Sequence, residues 1–289
     1  MRQKGSQRLS ERHQPKQPPL AGRPTHGMAV VETESPARSR APVRRGVRRV
    51  IRPVAIAGIG LLCILVATGL VAWVATPSVD DLQTRVETMA RERHSELLGP
   101  DQVPPLLASG LVATEDERFF EHHGIDVIGL GRALTYDVTH LCACQGGSTI
   151  TEQLVKEVYL GGSDAGPAKI ADMALALKVE LHYSKAQILA DYVSLVLVGY
   201  GRYGMANGAC AYFGRPLAGI DLAQAALLAG MPQAPSAYDP LLHPDAAAAR
   251  RAQVLDAMVD TGRVSSADAA AAEREPVATS DPDASCLSK

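Results

Sequence analysis

The run QGGSTITEQLVKE, residues 145–157, decides how the rest of this sequence is read. Its two glycines let a backbone pass close to a neighbour or a ligand. Ser148 and Thr149 follow as candidate helix caps, and Glu152 stands three residues after Thr149, the spacing of a capping box. A helix therefore opens here and closes on Gly161 and Gly162. Its first turn offers N–H groups and the positive end of a helix dipole, with two hydroxyls beside them. Gln153 and Lys156, three apart, share one face. Such a set can hold a phosphate or a sugar; it equally describes a capped helix with a polar outer face.

Outward from this helix the chain reads as mainly α. Strand-like alternation is nearly absent and aromatic residues are scarce. Apolar spacing and breaker residues predict helices over 81–98, 109–124, 148–162, 168–183 and 185–199, the last capped by Ser184. Asp221 caps another over 222–230, stopped by the Pro-rich run MPQAPSAYDP, and two more fall near 245–260 and 266–274. On 168–183 the residues Ile170, Ala174, Leu177 and Leu181 form one stripe, the face expected to be buried.

The net charge of −2 conceals an uneven chain. Residues 1–53 hold 13 Lys and Arg against 3 Asp and Glu, about +10, so the remainder carries about −12. The head has few large apolar residues and reads as a disordered basic tail. Val54 to Ala75 is uncharged and long enough to cross a bilayer of about 30 Å as a helix. Arg44, Arg45, Arg48, Arg49 and Arg52 precede it, which keeps that end in the cytoplasm. Residues 54–75 are thus expected to be a single transmembrane signal anchor, 76–275 an extracytoplasmic domain and 276–289 a flexible tail. A head so close to a membrane span argues against a nucleic-acid partner and for membrane lipid. His140, Cys142 and Cys144 alternate, but structural zinc wants paired Cys-x-x-Cys knuckles and four ligands, so no metal site is read there. Buried thiols or a disulfide among Cys142, Cys144, Cys210 and Cys286 fit better, with the pairing open.

A second stretch, TEDERFFEHHGID at 114–126, sets Glu115 and Asp116 after the apolar run LASGLVA. A carboxylate at the edge of an apolar surface loses hydration and its pKa rises, as a general base requires. The same residues also suit a solvated acidic helix end.

Taken in order, these stretches resemble the signatures of the peptidoglycan glycosyltransferases, glycosyltransferase family fifty-one. The pattern E-D-x-x-F-x-x-H-x-G is met by Glu115, Asp116, Phe119, His122 and Gly124. The pattern G-G-S-T-[IL]-T-Q-Q-L-V-K-N is met from Gly146 to Lys156, with Glu152 for the first Gln and Glu157 for Asn. YSKAQILADYVSLVLVGYGRYG and ACAYFGRPLAGIDLAQAALLAGMPQAPSAYDP resemble later family segments, and the similarity runs from about 104 to 260. The resemblance implies a helical domain with a lysozyme-like lobe and a small jaw lobe facing the membrane. It implies lipid II as substrate, a growing glycan chain as donor, and inversion at the anomeric carbon with release of undecaprenyl pyrophosphate. Glu115 would be the general base and Asp172 the second acid. Asp116, Phe119, His122, Gly146, Gly147, Ser148, Thr149, Gln153, Lys156 and Lys169 would form the substrate-binding set. Some members use a divalent cation, Mg or Mn, at the pyrophosphate; the sequence itself demands no cofactor. A bacterial plasma-membrane location and cell-wall synthesis proteins as partners follow from the same likeness. The likeness is to the monofunctional members, so a single catalytic domain is expected.

The chain also departs from the pattern. The family's R-K-x-x-E reads Ala168, Lys169, Ile170, Ala171, Asp172, which removes a bidentate phosphate donor and shortens an acid. Ala190 stands where the family has Glu, with Asp191 adjacent, and Ser194 replaces Asn. Three readings stay open: a divergent active transglycosylase, a catalytically impaired lipid II or glycan-binding scaffold, and a membrane-anchored helical interaction module.

Overall fold

The computed structural model describes residues 44–141, 147–162 and 167–277. Within them the chain is helical, and its one β-feature is an isolated bridge between Leu197 and Tyr203. Eleven α-helices follow one another among the described residues. They are α1 (Arg44–Ala75), α2 (Leu82–Glu92), α3 (Pro105–Glu115), α4 (Val127–His140), α5 (Ile150–Tyr159) and α6 (Pro167–His182). Then come α7 (Lys185–Leu195), α8 (Met205–Phe213), α9 (Leu222–Gly230), α10 (Pro244–Asp260) and α11 (Ser266–Glu273). Gly146, Cys142, Cys144 and Cys286 lie outside the described residues, as do most of the basic head and the C-terminal tail. Cys210 is buried in α8.

Helix α1 starts at Arg44, ten residues before the predicted span. From Ala55 to Ala75 it is long and apolar enough to cross a membrane, and none of that window is buried. The rest packs as two helical groups. In one, α3, α9 and α10 lie against each other and α11 covers α10; in the other, α5 rests on α6 and α7, with α2 alongside. Helix α8 touches both α7 and α9 and so joins the groups. One core runs through them, with Leu107, Leu111, Ile150, Leu154, Leu175, Ile188, Leu227 and Val254 all fully enclosed. Each such side chain stabilises the fold by roughly 1.5–3 kcal/mol relative to exposure.

The caps fall where the sequence places them. Thr149 and Glu152 close a reciprocal capping box at the start of α5, Ser184 caps α7, and Asp221 with Gln224 caps α9. Other expectations need correction. The helix expected over 81–98 stops at Glu92, and His94 turns into a left-handed conformation with φ 51°. The helix expected over 109–124 runs instead from Pro105 to Glu115. Asp116 breaks it with an extended φ of −159°, and residues 117–124 form turns and bends. The stripe on α6 holds only at its centre: Ala174 is buried and Leu177 half-buried, but Ile170 and Leu181 are 41% and 70% exposed, while Asp172, Leu175, Ala176 and Val179 face inward. Ala and Leu occur all round α6, so periodicity could not separate a solvent stripe from a face that buries an acid. Helices α4 and α8 lack a clear sequence signal. Each carries internal glycine, and α4 leaves Val127, Ile128, Leu134 and Val138 exposed.

The turn after α3 depends on Gly124. Its φ of 93° is left-handed, and a Cβ there would lie 2.7 Å from the Ala176 carbonyl carbon of α6. Gly124→Ala is therefore expected to cost at least ~2 kcal/mol of stability, because positive φ and overpacking combine. Urea unfolding should show a lowered midpoint at unchanged slope. A midpoint equal to wild type would mean that the turn and α6 can separate freely.

Candidate active site

Glu115 is the last residue of α3, and its side chain is 13% exposed. Its Oε2 accepts a hydrogen bond from Gln153 Nε2 of α5 at 3.0 Å, which spans the two helical groups. The Gln153 amide has a fixed orientation, because Tyr192 of α7 donates its hydroxyl to Gln153 Oε1 at 2.8 Å. On the other side Arg250 Nη2 of α10 lies 3.7 Å from Glu115 Oε1. Arg250 is itself held: Nε donates to Gly230 O at 2.9 Å and Nη1 to Gln253 Oε1 at 3.2 Å. Burial pushes the Glu115 carboxyl above the usual glutamate range. The Gln153 hydrogen bond and the Arg250 charge pull it back, and the neighbouring Asp116 charge pushes it up again. This is the environment of a poised general base. Arg250 and Tyr192 are absent from the sequence-derived site; Tyr192 stood inside a quoted segment, while nothing in local spacing marks Arg250.

Asp116 is buried. It accepts the Ile150 N–H at 3.0 Å, at the start of α5, and the His122 Nε2 contact at 2.9 Å. Phe119 is fully enclosed, edge-on to Phe120 and His122. Thr149 Oγ1 donates to Gly124 O at 2.7 Å and accepts from Glu152 N at 3.1 Å. The signature residues Asp116, Phe119, His122 and Thr149 thus build the turn that carries Glu115. The start of α5 is correspondingly not an open anion hole: the N–H groups of Ile150 and Glu152 already have side-chain acceptors.

Anion-binding capacity sits on side chains instead. Lys169 Nζ of α6 donates to Ser148 Oγ at 2.9 Å and to Glu152 Oε1 at 3.2 Å, and lies 3.5 Å from Asp172 Oδ2. Asp172 is 3% exposed, and its Oδ1 has no hydrogen-bond partner. Burial raises the pKa of both Asp172 and Glu152; Lys169 lowers both, and Lys156 lowers Asp172 as well. Lys156 is therefore close enough to act on the same acid. The departure at Glu152 has a consequence here, since it places a second carboxylate on the cation beside Ser148. Glu157, standing for the family's Asn, pairs with Arg93 at 2.9 Å.

A cleft of about 270 Å³ opens between these parts. Glu115 and Asp116 line one wall, Gly147, Ser148 and Thr149 another, and Leu130 and Ala133 of α4 a third. Gly147 lets α4 approach: a Cβ there would stand 3.0 Å from Leu130 Cδ1. Ala190 is fully buried in α7, and Asp191 binds Gln83 and Gln187 at 2.6 and 2.8 Å behind the site. The adjacent acid therefore does not replace the family's Glu at the cleft. Nor does the donor set suit a protein-held divalent cation. Among the described residues no three His, Cys, Asp or Glu converge, and Glu152 and Asp172 already share Lys169.

The family described as Transglycosylase matches residues 82–259. Penicillin-binding protein 1A of Neisseria flavescens is 35% identical over 224 residues, which is 73% of this chain and 28% of that protein. Penicillin-binding protein 1A of Escherichia coli K12 is 40% identical over 164 residues, 57% of this chain and 19% of that protein. A crystal structure of penicillin-binding protein 1A from Haemophilus influenzae aligns over 63% of this chain and 18% of its own, with a TM-score of 0.37 and 22% identity. The chain spans less than a third of the length of these curated relatives. With most of its body inside the matched region, the chain belongs to the transglycosylase family of peptidoglycan glycosyltransferases.

Proposed function

We propose that the protein is a membrane-anchored transglycosylase that polymerises lipid II into glycan strands. The observation that carries this reading is that a buried, amide-oriented Glu115 and Ser148 line one cleft, with Lys169 hydrogen-bonded to that Ser148. In the step we infer, Glu115 takes the proton of the acceptor's sugar hydroxyl. That oxygen forms a bond to the donor's anomeric carbon from the face opposite the leaving group. The bond from that carbon to the lipid pyrophosphate breaks, and the configuration inverts. Charge grows on the departing pyrophosphate, where Lys169 and Lys156 stabilise it and Ser148 donates a hydrogen bond. Gln153 and Arg250 favour the ionised base, while burial keeps its affinity for the proton high.

The apolar stretch of α1 fits a substrate with a lipid tail. Arginines 44 to 52 fit a cytoplasmic N-terminus, with the body from about 76 to 275 outside the cell. A second reading has its own observation. Lys169 is shared by two carboxylates and Ala168 supplies no arginine, which favours a chain that binds lipid II and turns it over slowly.

Glu115→Gln is expected to abolish polymer formation in a gel assay with lipid II while binding persists. Binding without polymer from the wild type itself would favour the scaffold reading. Glu152→Gln should raise polymerisation several-fold: it removes a negative charge beside Lys169, and Gln at this position still completes a capping box. A fall in rate would show that the carboxylate is required. Arg250→Met removes a positive charge that favours ionised Glu115, so the base stays protonated to higher pH. The acid limb of kcat/KM should move up in pH relative to wild type. A limb that stays in place while kcat falls would make Arg250 a packing residue only.

A further inference from the structure

Lys178 lies on the same helix as Lys169 and Asp172 but plays no part in the cleft. It is 9% exposed, an unusual place for an ammonium group. Its Nζ donates to Thr76 O at 2.8 Å and to Pro77 O at 3.1 Å. These are the first two carbonyls beyond Ala75, where the apolar helix ends. The same ammonium lies 5.2 Å from the centroid of the Trp73 ring, in the last turn of that helix. A cation at a helix C-terminus meets the negative end of the dipole and unsatisfied carbonyls, and a Trp face adds to the attraction. The chain just beyond is pinned as well: Tyr183 Oη donates to Val79 O at 3.0 Å, and Val79 and Leu82 enter the core.

We propose that Lys178 is a positioning residue that fixes the height of the cleft above the bilayer by tying α6 to the exit of the membrane helix. The inference rests on the reading that α1 spans a membrane and that the substrate is lipid-borne. Helix α6 acts as a rigid strut. Six residues separate Asp172 from Lys178 and nine separate Lys169 from it, about 9 and 14 Å at 1.5 Å per residue. A headgroup tethered in the bilayer reaches the cleft only when that strut starts from a fixed point, and a misplacement of about 1 Å can cost on the order of a hundredfold in rate. A substrate free in water has no such constraint. A lysine that served only to cap the helix would affect both substrates alike.

The test uses full-length protein in liposomes with two substrates: lipid II in the same bilayer, and a water-soluble short-prenyl analogue. Lys178→Met should slow polymerisation of the embedded substrate at least tenfold and leave the soluble analogue within twofold of wild type. Lys178→Arg should restore the embedded rate. Parallel loss on both substrates, or no loss on either, overturns the inference. Should Lys178→Met lose its thermal unfolding transition, two glycines inserted between Ala75 and Thr76 must produce the same split, and an absent split overturns the inference equally. Wild type active on both with no split in the variants sinks this inference alone. Wild type silent on both sinks the functional reading and this inference with it.

Discussion

The hydrogen bond from the Ile150 amide to Asp116 is the constraint on which the site depends. It joins the turn that leaves α3 to the first residue of α5, and Thr149 ties the far end of that turn at Gly124. Glu115 precedes Asp116 in the chain, so once Asp116 is fixed the Glu115 carboxylate must emerge beside α5. Gln153, one turn into α5, then meets it. A charge-assisted bond of this kind contributes about 1.5–3 kcal/mol, and leaving the buried carboxylate without it would cost more than that gain. The turn has little freedom elsewhere, since Phe119 is enclosed and Gly124 presses on the backbone of α6. The signature E-D-x-x-F-x-x-H-x-G is thus largely a mounting for its first residue.

That mounting explains what the sequence revealed and what it hid. Caps are local, because Thr149 with Glu152, Ser184 and Asp221 act on N–H groups two or three residues away, and spacing alone locates them. The end of α3 is not local. Nothing between 109 and 124 breaks a helix by composition; Asp116 breaks it because its carboxylate is wanted at Ile150, 34 residues on. Arg250 was illegible for the same reason, lying 135 residues from Glu115 in the chain and touching it only because α3, α9 and α10 pack together. On α6 the apolar pattern misled at both ends of the stripe, though Ala174 in its middle is buried. Ile170 and Leu181 look like core, yet the fold turns Asp172 inward. A buried acid that serves a site overrides hydrophobic periodicity, so disagreement between the two marks a functional face.

The cluster around Lys169 holds two of the departures from the family's signature residues. Ala168 stands for a cation and Glu152 for a neutral amide, so the subsite has lost one positive charge and gained one negative. Two unit charges 4 Å apart interact by about 4 kcal/mol at an effective dielectric near 20, and by about 1 kcal/mol in water. Lys169 is partly exposed, so each of its ion pairs falls between these limits. Under the proposed function, an arriving pyrophosphate would compete with Glu152 and Asp172 for the same ammonium. The competition is softened by burial, which raises the proton affinity of both acids. Lys169 now holds that affinity down, and as its charge turns toward phosphate each acid binds a proton more readily. Asp172 Oδ1, buried and without a partner, gains most from becoming a hydroxyl only if an acceptor comes within reach. A phosphate oxygen would be such an acceptor. The shortened acid that looks like a loss in the sequence is then consistent with a subsite that accepts its anion together with a proton.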